Sequence, residues 1–332
     1  MKVSVLGAGS WGTTLAILLS LNGNSVTMWE FRKAYAKTLN KTRENKIFLP
    51  GVKIPDDIVI THDLDEAITD KHFIIIAVPT QFIRGVLKQF SRKNFHNTTF
   101  VSVSKGIEKN SLLTVSQIIK DELPDLADSN IGVLSGPSHA EEVSRKIPTA
   151  VVAASNDMNT AKQIQSIFMT SYFRVYHSDD LLGVEFGGAL KNVIAIGAGI
   201  VDGAKFGDNT KAAIMTRGIA EISRLGIALG AKPLTFSGLS GMGDLIVTCM
   251  SKHSRNRFVG EQIGSGKTLK QVLAKMDMVA EGVETCKSVH DLAAKNLVDV
   301  PICDAVYEIL FDEVDPIKAT FNLMTREIKT EH

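Results

Sequence analysis

Cysteine is scarce in this chain. Cys249, Cys286 and Cys303 are the only three in 332 residues. They are widely spaced and odd in number, so they supply neither a disulfide framework nor a C-x-x-C metal site. A reducing cytoplasm is the expected home. Net charge is also small. At +1 it leaves no basic field for nucleic acid, and anion binding has to come from a few locally placed cations. Long apolar runs are missing too. Stretches such as Phe73 to Val78 are far too short to span a bilayer, so no membrane insertion is expected. The first residues read as a strand, not as a charged-then-apolar export signal. The histidines lack H-E-x-x-H spacing, and no metal site is expected.

What is present is a long chain with a sizeable core. Hydrophobic residues make up 44% and charged residues 22%, ordinary for a globular protein, and the length suits two domains of about 150 residues each. The first dozen residues organise the rest. Lys2 to Leu6 alternates and is β-branched, a short buried strand. It runs into Gly7-Ala8-Gly9-Ser10-Trp11-Gly12 and then a helix former's run from Thr13. Strand, G-x-G-x-x-G, helix is the arrangement a dinucleotide pyrophosphate needs. Gly7 makes the tight turn, Gly9 lets phosphate approach the backbone, and Gly12 lets helix and strand pack closely. The helix start offers N–H groups and partial positive charge.

A second strand, Ser25 to Trp29, ends at Glu30-Phe31-Arg32-Lys33. An acid here accepts adenosine ribose hydroxyls and favours NAD. A cation accommodates a 2′-phosphate and favours NADP. Glu30 and Arg32 with Lys33 therefore pull in opposite directions, each limited by a wet strand end. Residues 34–46 suit a helix, and Leu49-Pro50-Gly51 reads as a turn. Strands follow at 58–60, 72–78, 99–103, 130–134, 149–154 and 173–176, with helices after Asp63, from Phe82 to Phe90 and from Leu112 to Leu123. The alternation predicts an α/β fold: an N-terminal Rossmann-type, doubly wound, mostly parallel sheet over residues 1–178. Ligands collect at the carboxyl ends of such strands. Lys105, directly after one strand, and Gly136 with Ser138, after another, belong to that edge.

Strand signals stop near residue 180, and an all-helical domain is expected over 179–332. In the small, apolar helix from Glu185 to Gly199, Lys191 and Asn192 stand out, since a buried Lys is rare unless paired or functional. Asp244 sits in a glycine-rich apolar stretch, as a site residue or helix N-cap. Ser254 is placed to cap a helix with Arg255 and Asn256 in its first turn, where an anion would offset the unfavourable Arg. Gly260 to Thr268 resembles a P-loop, but its spacing is wrong and no strand feeds it, so it reads as a loop between helices.

These pieces together resemble the soluble bacterial-type NAD(P)-dependent glycerol-3-phosphate dehydrogenases over nearly the whole chain. The likeness rests on Gly7 to Gly12, Ser102 to Glu108, Leu134 to Glu142, Gly188 to Val193, Gly241 to Leu245, Ser254-Arg255-Asn256 and Val279 to Gly282. It implies reversible hydride transfer between dihydroxyacetone phosphate and sn-glycerol 3-phosphate, feeding phospholipid synthesis, with NAD or NADP as cofactor. It implies Lys191 as the proton carrier. Lys105, Gly136, Ser138, Asp244, Ser254, Arg255 and Asn256 join Lys191 around substrate. Gly7, Gly9, Ser10, Trp11, Gly12, Arg32, Lys105, Ala140, Arg255, Val279 and Glu281 would contact the cofactor. A cytoplasmic homodimer acting on a small phosphate is the implied context. Glu30 departs from the small residue often found there. A 3-hydroxyacid dehydrogenase of similar build, a sugar-nucleotide dehydrogenase lacking its cysteine, and a non-catalytic dinucleotide sensor are the competing readings.

Overall fold

The computed structural model describes residues 1–90, 94–276, 278–328 and 330. They form two compact units. One holds Met1–Lys105 and Leu113–Glu185, the other Gly106–Leu112 and Phe186–His332.

The first unit is built on strands β1 Lys2–Leu6, β2 Ser25–Trp29, β3 Glu44–Asn45, β4 Leu49–Lys53, β5 Val59–Thr61, β6 Phe73–Ile76, β7 Thr99–Ser102, β8 Ile131–Ser135, β9 Thr149–Ser155 and β10 Phe173–Ser178. Eight of them make one sheet in the order β10-β9-β8-β7-β6-β1-β2-β5. From β5 through β8 all neighbours are parallel. The chain starts at β1, winds outward through β2 to β5, then returns to β6 and winds the other way. The reversal places a crevice at the carboxyl ends of β1 and β6, where ligands of such sheets bind. Within this sheet, among the described residues, only β8 and β9 pair antiparallel. Their connection holds just the four-residue helix Ala140–Val143 and brings the chain back on the same edge, where a parallel return needs a full crossover. That loop carries Gly136 and Ser138.

Alternating side chains serve two cores. Val3, Val5, Phe73 and Ile75 pack with the helices Ser10–Leu21 and Met158–Phe168 on one face. Leu6, Ile74, Ile76 and Val133 pack with Thr80–Leu87 and Val115–Glu122 on the other. Burial on both faces is why β6 reads as an unbroken apolar run.

The structure corrects several local expectations. Residues 49–51 are not a turn. They open β4, which pairs antiparallel with β3 in a separate two-stranded ribbon. Pro50 is tolerated because such a ribbon leaves edge N–H positions unused. The helix expected over 34–46 is Lys33–Thr42 and stops at Arg43, whose left-handed φ of 50° ends it. The helix Met158–Phe168, with the Asp157 carboxylate accepting from Thr160 N at 2.9 Å, had no sequence expectation at all.

The second unit is helical: Leu181–Gly203 from Phe186 onward, then Asp208–Ala228, Asp244–Met250, Arg255–Gly264, Glu281–Lys295, Pro301–Phe311 and shorter pieces. The P-loop-like glycines are not all loop, since Gly260 and Gly264 lie inside a helix. They face Gly199 and Gly203 of the helix Leu181–Gly203. A Cβ on Gly260 would come 2.0 Å from Ile196 O, and one on Gly199 2.0 Å from Arg257 O. The two helices thus touch backbone to backbone, which only glycine permits. Among the described helices, Leu181–Gly203 is the one long and apolar enough to cross a membrane, yet its apolar window is entirely buried inside the protein. Glu185 and Lys191 hid it from a search for unbroken runs.

Candidate active site

In the first unit the edge at β1 is shaped by backbone. Gly7, with φ +109°, donates its N–H to Trp29 O at 3.0 Å, and a Cβ there would lie 2.7 Å from Ala77 O. A Cβ on Gly12 would lie 1.9 Å from Gly7 O. Gly9 is different: nothing lies within 4 Å of the position its Cβ would take. The helix Ser10–Leu21 starts directly after it, without a side-chain cap or an acidic residue in its first turn. Tight packing at Gly7 and Gly12 with open space at Gly9, over an uncapped helix start, fits a dinucleotide pyrophosphate. Ser10 and Trp11 are half-buried at this start, and Trp11 packs toward Phe173 with ring centroids 6.4 Å apart.

Beside the glycines, Glu30 follows β2. It was expected in a wet setting, but the residue is buried at 3% exposure. One carboxylate oxygen accepts both the Arg32 backbone N–H at 3.0 Å and Arg32 Nε at 2.7 Å. Burial of a carboxylate demands such partners. The Arg32 guanidinium also lies over the Tyr35 ring at 4.6 Å and near Phe31 and Phe48. Tyr35 in turn donates to Asn45 Oδ1 at 2.6 Å. Asn45, fully buried, donates from Nδ2 to Ala8 O at 2.8 Å and Thr13 Oγ1 at 2.7 Å. The small ribbon therefore ties the glycine loop to the arginine platform. No local sequence signal pointed to Asn45.

Two further strand ends converge. Lys105 Nζ donates to Gly136 O at 3.0 Å, and Ser138 Oγ donates to the same carbonyl at 2.9 Å. Ala140 opens the next helix, and Thr14 Oγ1 reaches its carbonyl at 3.4 Å. Lys105, Gly136 and Ser138 thus lie together just past the carboxyl ends of β7 and β8.

In the second unit the site is made of side chains. Lys191 is 5% exposed, and its ammonium donates to Asp244 Oδ1 at 2.7 Å and Thr248 Oγ1 at 2.6 Å. Asp244 is the first residue of the helix Asp244–Met250, after a π-helical turn over Leu239–Gly243. Thr248 lies one turn later on the same face. Sequence reasoning missed it, although its i,i+4 spacing from Asp244 was available. The carboxylate compensates the buried ammonium, without which the charge would be untenable in a low-dielectric interior.

Nearby in the same unit, Ser254 caps the helix Arg255–Gly264 by accepting from Arg257 N at 3.2 Å, as its sequence position predicts. Asn256 Nδ2 donates to Asn192 Oδ1 at 2.9 Å, and its Oδ1 accepts from Gly282 N at 3.0 Å. Arg255 is exposed, with Nη1 donating to Val279 O at 2.9 Å. Glu281 begins the helix Glu281–Lys295. Asn192, Asn256 and Gly282 thus tie two further helices to the Lys191 helix. Cys249, beside this cluster in sequence, is a buried thiol pushed up to about 12 by desolvation, which rules it out as a nucleophile.

A pyrophosphate cradle in one unit and a buried lysine held by a carboxylate and a hydroxyl in the other agree with what known proteins resemble this chain. The family model described as NAD-dependent glycerol-3-phosphate dehydrogenase N-terminus matches residues 2–161, and its C-terminal counterpart matches 180–321. The chain belongs to this family. It is 52% identical over 331 residues to a glycerol-3-phosphate dehydrogenase [NAD(P)+] of Chlorobium phaeobacteroides strain BS1, covering 100% of this chain and 99% of that one. Identity is also 52% to the protein of that name from Prosthecochloris aestuarii, covering 100% of each. Among solved structures, the glycerol-3-phosphate dehydrogenase (gpsA) of Coxiella burnetii superposes with a TM-score of 0.93 at 35% identity, covering 98% of this chain and 99% of that one. Family membership brings with it an NAD(P)-dependent oxidoreductase fold.

Proposed function

We propose that the protein reduces dihydroxyacetone phosphate to sn-glycerol 3-phosphate, reversibly, with NADH or NADPH. The observation that carries this reading is the buried Lys191–Asp244–Thr248 cluster in a chain of this family. The nicotinamide supplies or accepts the hydride when bound. The protein's own part is to bind, orient and move a proton. Reduction builds negative charge on the C2 oxygen, and Lys191 holds that oxygen by a charged hydrogen bond and then protonates it. Asp244 and Thr248 fix the ammonium's direction, so no reorganisation is needed as charge develops. A positioned proton carrier is worth roughly 100- to 10,000-fold in rate.

For so small a substrate, phosphate contacts have to supply most of the orientation. Ser254, Arg255 and Asn256 at a helix start provide them, with Lys105, Gly136 and Ser138 assigned to the remaining substrate contacts. Gly7, Gly9, Ser10, Trp11 and Gly12 take the pyrophosphate, Arg32 the adenosine end, and Ala140, Val279 and Glu281 the rest of the dinucleotide. The same reading includes a homodimer in the cytoplasm, supplying phospholipid synthesis. Three free, buried cysteines support the reducing compartment.

The test is a spectrophotometric assay with dihydroxyacetone phosphate, run with NADH and NADPH in parallel and with a 3-oxo acid as control. Oxidation of reduced cofactor that requires dihydroxyacetone phosphate is the expected result. Turnover of the 3-oxo acid alone would transfer the protein to the hydroxyacid dehydrogenases.

A further inference from the structure

By charge alone Glu30 should oppose a 2′-phosphate on the adenosine ribose. The geometry points to the reverse. We infer that Glu30 is a positioning residue for Arg32, and that the two, with the Tyr35 ring, form a preassembled seat for the 2′-phosphate of an NADP-type dinucleotide. This rests on the dinucleotide reading of the glycine loop given above.

Four observations carry it. The first is location: Glu30 follows β2 directly, and β2 is tied to the loop by the hydrogen bond from Gly7 N to Trp29 O at 3.0 Å. This is where a dinucleotide fold recognises the adenosine ribose. The second is how the carboxylate is used. Its Oε1 accepts from both Arg32 N and Arg32 Nε, so one oxygen fixes the backbone and the side chain of the same residue. The third is the platform. The guanidinium carbon sits 4.6 Å over the Tyr35 ring, and Tyr35 is itself held by Asn45, which also binds Ala8 O of the glycine loop. Arg32 is thereby indexed to the glycine loop by one cation–π contact and two hydrogen bonds. The fourth is what remains. With Nε taken by Glu30, the Nη1/Nη2 edge has no protein partner among the described residues, and the side chain keeps 39% of its exposure.

A guanidinium presents two N–H groups along that edge in the geometry of a bidentate phosphate contact. Lengths and angles favour it only when the fork is held still, since a free arginine loses rotamer entropy on binding. Glu30 and the ring remove that cost in advance. The acid lies on the Nε side, farther than the cation from an anion on the open edge. Because coulombic energy falls with distance, attraction by the guanidinium outweighs repulsion by the carboxylate. The helix Lys33–Thr42 adds its start to the same place, with Arg32 as its N-cap residue, no side-chain cap and no acid in its first turn.

The experiment is calorimetric titration of cofactor-free protein with adenosine 2′,5′-bisphosphate and with adenosine 5′-monophosphate. It compares wild type, Glu30→Ala, Glu30→Gln, Arg32→Ala and the Glu30→Ala/Arg32→Ala double variant. Loss of a charged hydrogen bond costs about tenfold or more in affinity, so Glu30→Ala should weaken the 2′,5′-bisphosphate by that factor and leave the 5′-monophosphate unchanged. Glu30→Gln, which keeps an acceptor oxygen and the side chain's shape, should recover part of the loss. In the Arg32→Ala background Glu30→Ala should cost nothing more, the signature of action through Arg32. Tighter 2′,5′-bisphosphate binding by Glu30→Ala would overturn the inference in favour of simple repulsion. Equal weakening of both ligands would overturn it in favour of a purely structural role. Failure of wild type to bind either nucleotide would instead remove the dinucleotide reading beneath it.

Discussion

The two units handle ligand chemistry by opposite means. At the glycine edge of the first unit, the working groups belong to the backbone and the side chains are mostly absent. Gly7 and Gly12 exist to let main chains touch, and Gly9 to leave room. Around Lys191 in the second unit, the backbone is plain helix and the work is done by side chains brought together from positions 191, 244 and 248. A phosphate bridge is the same in every dinucleotide, so generic N–H groups suffice to hold it. Protonating one carbonyl oxygen needs a titratable group at one atom, and only a side chain provides that. Both units still set a cation against a buried acid, Arg32 with Glu30 and Lys191 with Asp244. The first pair leaves one edge of the guanidinium open, whereas the ammonium of the second is held at the acid and at Thr248.

The largest effect expected from this division is at Lys191. Lys191→Met should lower kcat by roughly 100- to 10,000-fold while leaving adenosine dinucleotide affinity intact. It also strands the Asp244 carboxylate, and breaking a buried pair costs about 3–5 kcal/mol, so the melting temperature should fall as well. Adding Asp244→Asn should restore much of the stability and none of the turnover. Turnover near wild type in the single variant would remove Lys191 from the chemistry. Gly12→Ala should do the converse. Its new Cβ meets the Gly7 carbonyl, a backbone atom with nowhere to move, at a cost of about 3 kcal/mol, the upper end for overpacking. Dinucleotide affinity should collapse in nucleotide titration, and the fraction still folded should keep its substrate-phosphate affinity. Loss of phosphate affinity in parallel would mean the two units are not separable in this way.

The same contrast decides what was legible in the sequence. The glycine edge could be read because its parts are consecutive: Gly7, Gly9 and Gly12 lie between a strand and a helix, each with a local steric job. The wound sheet was legible for a similar reason, since buried parallel strands announce themselves as apolar runs. Lys191 drew notice only as an anomaly in an apolar helix. Its partners Asp244 and Thr248 lie more than fifty positions away, and no local pattern encodes that meeting. Asn45 was hidden for a further reason. It sits in a two-residue strand whose partner opens with Leu49-Pro50-Gly51, so turn chemistry masked the ribbon. The burial of Glu30 could not be foreseen either, because it depends on an arginine two residues on folding back over it.

The smallest effect tests whether burying an acid requires a cation at all. Glu221 in the second unit is buried, with no ion-pair partner among the described residues. It accepts from the backbone N–H groups of Ile302 at 2.8 Å and Cys303 at 3.2 Å, at the start of the helix Pro301–Phe311. That helix begins with Pro301, and its N-cap residue Val300 offers no side-chain acceptor, so Glu221 supplies the cap from a distance. Desolvation pushes its carboxyl up to about 7, opposed by the two backbone hydrogen bonds and by the charge of Arg224. The unfolded chain ionises the same group near pH 4.5, so between those values the native state holds a proton that the unfolded state has lost. Stability from this group is therefore full below about pH 4.5 and drains away as pH rises through about 7. At about 1.4 kcal/mol per tenfold change in proton affinity, the bound is about 3 kcal/mol. Relaxation and water entry in real interiors bring it to about half of that. Glu221→Gln cannot titrate, so thermal melts of wild type minus variant should slope downward from pH 4.5 to 7 and run flat above. A flat difference throughout would show that the two N–H groups alone hold Glu221 ionised, and that a helix start serves this fold as well as an ammonium does.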